Sequence, residues 1–320
     1  MQPSRAPGTG AAATLALALL AGCATPPMTA ELLRSPAALP AAPVRLAQVP
    51  FFAQSDYQCG PAALAMLLAA DGLPVAPEHL VAQVYLPARG GSLQAEMLAS
   101  ARRHGRLAVV LPPRLEALLA TVAAGLPVVV LQNLALPVAP RWHYAVAIGF
   151  DRTRQTITLH SGTTAALELS FAVFERTWAR GGHWAMTAAA PERLPAGADD
   201  AALLAAAAAL ERVDPGAAAR AYSALAVRSP ALAGAWFGLG NARHALGDLA
   251  GAEQGFAEAV RIDPHLADAW HNLALTRLTR GRAAEALAAA RQAAALGGAR
   301  ADRYRATLEA IERAAQRSGG

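Results

Sequence analysis

The 320-residue chain is 54% hydrophobic, much of it alanine, and only 16% charged. Such a composition favours packed helices over disorder, and the length accommodates two domains. Its net charge of +5 comes from arginine without a single lysine, and the arginines are interspersed with Asp and Glu. No basic run interleaved with aromatics marks a nucleic-acid surface. No spaced Cys/His cluster or phosphate-binding glycine loop calls for a metal or a cofactor.

Residues 1–22 read as an export signal: Arg5, then the apolar run AAATLALALLAG, too short to span a bilayer. The run ends in Leu20-Ala21-Gly22-Cys23, which resembles the lipobox of bacterial lipoproteins. The resemblance implies cleavage before Cys23, lipidation of its sulfur and, with Ala24 following, anchorage at the outer membrane of the cell envelope, facing the periplasm. Residues 23–46 are rich in Pro and Ala and are expected to be a tether.

The next stretch, QSDYQCGPAALAMLL from Gln54 to Leu68, holds Cys59, the only other cysteine. Gly60 and Pro61 lead into an apolar helix expected over 60–71, so the sulfur stands at a helix N-terminus, where the macrodipole favours thiolate. An unpaired thiol in an oxidising compartment invites wrong pairing, so a reactive role is the better reading.

Helices are expected at 77–85, at 92–104 (with Ser92 as its cap) and at 114–124. Short apolar strands follow at 107–111, 127–133, 143–150, 156–162, 166–170 and 183–189. With hairpin-length connections they imply an α+β domain built on a mainly antiparallel sheet. A cysteine opening a helix, followed about 80 residues later by a histidine opening a strand, is the papain-type arrangement. His143 is so placed; His79, His104 and His183 are alternatives.

These segments, DYQCGPAALAM, SLQAEMLASARRHG, HYAVAIGFD and ITLHSG, resemble the bacteriocin-processing, double-glycine-leader type of papain-like cysteine peptidase. More closely, they resemble its stand-alone lipoprotein relatives that carry tetratricopeptide repeats. The likeness covers about residues 47–190. It implies Cys59 as nucleophile, His143 as general base and Gln54 as oxyanion donor, one position nearer the cysteine than is usual in the family. The family orients its histidine with an aspartate. A regular hairpin turning near Asp151–Arg154 leaves Asp151 on the order of 25 Å from His143, at about 3.3 Å per residue. The same hairpin sets His143 opposite Gly162, with His160 beside it on one sheet face. His160 is therefore expected in the orienting position, without a carboxylate's charge.

After an expected linker at 191–200, a 34-residue period sets in. It relates Trp236 to Trp270, Leu239 to Leu273, Gly247 to Gly281 and Ala252 to Ala286. The segment resembles tetratricopeptide repeats over 201–320, with a degenerate first copy, tryptophans in the core and a capping helix over about 301–316. The fold class is thus an α+β papain-like domain followed by an all-α repeat solenoid, whose concave face would take a peptide partner.

Two functions fit: a membrane-anchored cysteine peptidase acting on protein or peptide, or a catalytically weak papain-like binding module. An acyl-transfer or amidase reaction at the same residues remains open. Replacing Cys23 by serine is expected to release the protein from membranes or block its processing; unchanged detergent partitioning would contradict the lipobox reading.

Overall fold

The computed structural model describes residues 25–34, 39–53 and 58–318. The lipobox with Cys23, and also Gln54, lie outside the described residues. Among the described residues, no helix is long and apolar enough to cross a membrane.

The chain enters through α1 (Pro27–Arg34) and β1 (Val44–Arg45), then forms α2 (Cys59–Ala70) and α3 (Pro77–Val84). A small ribbon of β2 (Tyr85–Leu86) and β3 (Gly91–Ser92) precedes α4 (Gln94–Arg103), β4 (Leu107–Val110) and α5 (Leu115–Ala123). The remaining strands are β5 (Val128–Asn133), β6 (Trp142–Asp151), β7 (Thr156–Ser161), β8 (Thr164–Ser170) and β9 (Ala185–Ala189), with α6 (Phe171–Ala179) before the last. The sheet runs β4-β9-β5-β6-β7-β8, and β1 pairs with β6 beyond the end of β5. Every pairing is antiparallel, as the hairpin-length connections predict.

Two local expectations change. Ser92 does not cap α4: it pairs with Tyr85 in the ribbon, and the helix begins two residues later, after Leu93. The stretch read as a tether contains α1, which docks on α6. The buried carboxylate of Glu175 accepts the N–H groups of Met28 (2.9 Å) and Thr29 (2.6 Å) and the Thr29 hydroxyl (2.6 Å). A carboxylate at a helix start meets both the unpaired N–H groups and the positive end of the dipole.

Seven helices follow among the described residues: α7 (Asp200–Glu211), α8 (Pro215–Arg228), α9 (Ala233–Ala245), α10 (Leu249–Ile262), α11 (Ala267–Thr279), α12 (Ala283–Leu296) and α13 (Ala301–Ser318). They form three antiparallel pairs and a cap. Asp199, Asp214 and Asp248 cap α7, α8 and α10 by accepting N–H groups of Ala202, Ala217 and Gly251. The period is visible in contacts. The indole of Trp236 donates to the Pro230 carbonyl (3.1 Å), and that of Trp270, 34 residues on, donates to the Pro264 carbonyl (2.9 Å). Tyr304 follows after another 34 and places its hydroxyl 2.7 Å from Asp268. The tryptophans are half-buried against the core rather than enclosed by it.

The segment 191–200 is not an exposed linker. Pro191, Pro195 and Ala198 are buried, and Gly197 lies so close to the Ala117 carbonyl of α5 that a Cβ there would collide with it. The Arg228 guanidinium donates to the carbonyls of Pro195 (3.4 Å) and Ala198 (2.7 Å). Arg193 pairs at 2.9 Å with Asp71, at the end of α2, which also holds Arg106 at 2.6 Å. One apolar core therefore runs from Leu32 through the sheet to Ala242, while a second begins at Ala252. The first helix pair is fused to the sheet domain.

Gly197→Ala is expected to destabilise the protein by about 1–3 kcal/mol, as overpacking does, measured by urea denaturation. Limited proteolysis is expected to spare 191–200; a preferred first cut there would mean that the segment does not pack as described.

Candidate active site

Residues Gly60–Leu68 of α2 are all buried, because a helix apolar on every side is stable only inside a core. Its first residue, Cys59, is only partly so. The chain reaches it through a tight passage: a Cβ on Gly60 would collide with the Ser92 side chain on β3. The helix start therefore presents the sulfur at a fixed place, at the end of the sheet where β6 begins.

Tyr144 makes that meeting. Its backbone hydrogen-bonds to the Cys59 sulfur, as do those of Gly60 and Cys59 itself. Its phenol donates to the Ser92 carbonyl (3.1 Å) and packs edge-on to Trp184. His143 directly precedes Tyr144, so sulfur and imidazole share one end of β6. Among the described residues they are not hydrogen-bonded to each other, and the His143 ring bonds to Ser161 instead.

The orienting group differs from the expectation. At the turn, β6 and β7 pair Asp151 with Thr156, Phe150 with Ile157 and Gly149 with Thr158. Between Gly149 and Ala147 the register slips by one, so that Ala147 faces Leu159 and Val146 faces His160. An extra residue in one strand exchanges the faces beyond it. His143, three residues from Val146, thus lies on the face opposite His160 and shares a face with Ser161. Its Nε2 is 2.9 Å from the Ser161 Oγ. Asp151 stays at the far end, where its carboxylate accepts the Arg154 N–H.

His160 has other work. A second bulge, on β8, falls at Ala166, which has φ +57°. His160 Nδ1 accepts the Ala166 N–H (3.1 Å), which leaves Nε2–H to donate to the Val49 carbonyl (3.3 Å). Its ring also packs on Phe51. The side chain is a buried brace between β8 and the segment leading to α2, and it does not touch His143. Of the other histidines, His104 bonds the Ser100 carbonyl of its own helix and His183 packs edge-on against Trp178.

The electrostatics are those of a neutral pair. Burial pushes the Cys59 thiol up, and the backbone hydrogen bonds at the helix start only partly offset this. Burial, with the Arg141 guanidinium nearby, lowers His143 to about 4. At neutral pH the resting groups are thiol and imidazole, not the thiolate that the helix terminus alone would favour.

The chain thus consists of an α+β papain-like peptidase fold followed by an all-α tetratricopeptide-type solenoid. Residues 46–186 match the family described as Peptidase_C39 like family. No curated protein matches the sequence. Among solved structures, one from Bacillus anthracis described as a C39-like peptidase is 21% identical. It aligns with 46% of this chain and 97% of its own, at a TM-score of 0.40. The Yersinia enterocolitica type III secretion translocator chaperone SycD is 22% identical over 36% of this chain and 83% of its own, at a TM-score of 0.34.

A carboxylate in place of Ser161 would favour the imidazolium, and the imidazolium in turn the thiolate. Ser161→Asp is therefore expected to raise the His143 pKa and move the pH midpoint of Cys59 alkylation by iodoacetamide about 1–2 units toward acid. In the unmodified protein that midpoint is expected above the roughly 8.5 of a free thiol. Superimposable profiles for the two proteins would show that Ser161 does not act on the pair.

Proposed function

We propose that the chain is a cysteine peptidase of the cell envelope, related to the leader-processing type and anchored through a lipidated Cys23. The observation that carries this reading is the convergence at the start of β6. There the Cys59 sulfur takes a hydrogen bond from the Tyr144 backbone, and His143 is held by Ser161. For Nδ1 of His143 to act as the base, Nε2 must carry the hydrogen and Ser161 must accept it. The sulfur then adds to a peptide carbonyl as its proton passes to Nδ1, and the imidazolium returns that proton to the departing amine. Water hydrolyses the thioester through the same histidine. Gln54, five residues before Cys59, is the proposed donor to the oxyanion.

Helix α1 begins four residues after Cys23. Lipidation there would hold the domain close to an outer membrane, on its periplasmic side, rather than on a long leash. The repeats, continuous in packing with the sheet domain, would present a protein substrate or peptide partner to the cleft.

The neutral resting pair favours a second reading, a slow or inactive papain-like module that binds without cleaving. One experiment separates the two. Proteins captured on a Cys59→Ala variant are expected to be intact forms of species that are shortened when the wild-type protein is present. Capture of the same species, unshortened by the wild type, would establish the binding module.

A further inference from the structure

The connection from β5 to β6 and the first residue of β6 hold four exposed apolar side chains: Leu134 at 43%, Leu136 at 69%, Val138 at 90% and Trp142 at 56%. Slackness does not explain their exposure. Buried Asn133 accepts the N–H groups of Ala135 (3.0 Å) and Arg141 (2.9 Å) through its side-chain oxygen. The Leu134 N–H closes the loop on the Arg141 carbonyl (2.9 Å), and Ala139 bonds back to Leu136 (3.1 Å). Arg180 holds the Asn133 carbonyl from α6 (3.0 Å). Pro137 and Pro140 stiffen the tip further. A backbone so tightly fixed, with its apolar groups in water, is the signature of an interaction surface.

We propose that this loop is the specificity lip of the Cys59 cleft, taking bulky apolar side chains of an extended polypeptide near the bond presented to the thiol. The inference rests on the reading of Cys59 and His143 given above. Continuity with that site supports it: Trp142 immediately precedes His143 on β6. An extended chain advances about 3.3 Å per residue, so side chains within about three positions of the scissile bond fall in reach. A lipid surface fits less well, because inserting Trp142 into headgroups would carry His143 with it and cover the cleft.

The test uses the full chain and the variant Leu136→Ser/Val138→Ser, whose changes are on exposed positions. Three reagents report: iodoacetamide, a peptidyl chloromethyl ketone with Leu and Phe near its reactive end, and one with Gly and Ser there. Wild-type Cys59 is expected to react at least ~10-fold faster with the apolar reagent than with the polar one, the scale of discrimination by an apolar pocket. The variant is expected to lose that preference while its iodoacetamide rate stays unchanged. A preference that is absent, or that survives in the variant, overturns the lip while leaving the Cys59 reading intact. A thiol inert to iodoacetamide in both proteins overturns that reading and the lip with it. Sedimentation with phosphatidylglycerol/phosphatidylethanolamine vesicles that the variant loses would assign the loop to a membrane and overturn the peptide lip.

Discussion

A single extra residue in β6 decides what the histidine of this protein can touch. Strand side chains alternate with a strict period of two, so the slip between Ala147 and Gly149 exchanges the faces of everything toward the strand's start. On the far side of the slip, His160 is turned into the structure and Ser161 toward His143. The compensating bulge on β8 would leave the Ala166 N–H without a ladder partner, and His160 supplies one. The two irregularities are thus one device: the first assigns His143 its hydroxyl, and the second finds employment for the imidazole displaced.

The electrostatic character of the site follows from that assignment. A hydroxyl fixes the ring but adds no charge, so burial keeps both His143 and Cys59 uncharged. Hydrogen bonds at the helix start pull the thiol toward ionisation, yet desolvation is the larger effect. Chemistry in such a site depends on proton transfer during attack rather than on a standing ion pair, and a substrate that alters the solvation of the cleft would change both groups together.

Much of this was legible in the sequence, for identifiable reasons. The apolar run behind Cys59, the alternating strands and the 34-residue period are signals strong enough to survive local detail, and the helices and strands expected from them fall within a few residues of their places, whereas α6 and the short strands β1 to β3 were not expected. The orienting residue was not legible, because the one mark of the bulge in HYAVAIGF, the strand-interior Gly149, does not say which way the register slips. Helix α1 was hidden within a Pro/Ala-rich stretch, since its start is held by a distant partner, Glu175. The segment 191–200 reads as a linker by composition, yet it is held by contacts of its backbone, which composition does not encode. The lip was overlooked for the opposite reason: its leucines and valine pass as ordinary core residues until their exposure is seen.

The fusion of the first helix pair to the sheet domain gives the solenoid a growing end and a fixed end. Modules near α7 and α8 share a core with the sheet, so gaining or losing one there would break the domain that houses the thiol. Beyond Ala242 the packing passes to a separate core, and each module meets only its neighbours. The register of Trp236, Trp270 and Tyr304 means that the terminal helix already has the shape of another module's first half. In evolution or by design, the chain can therefore lengthen its arm in steps of 34 residues while the sheet domain at its base stays as it is.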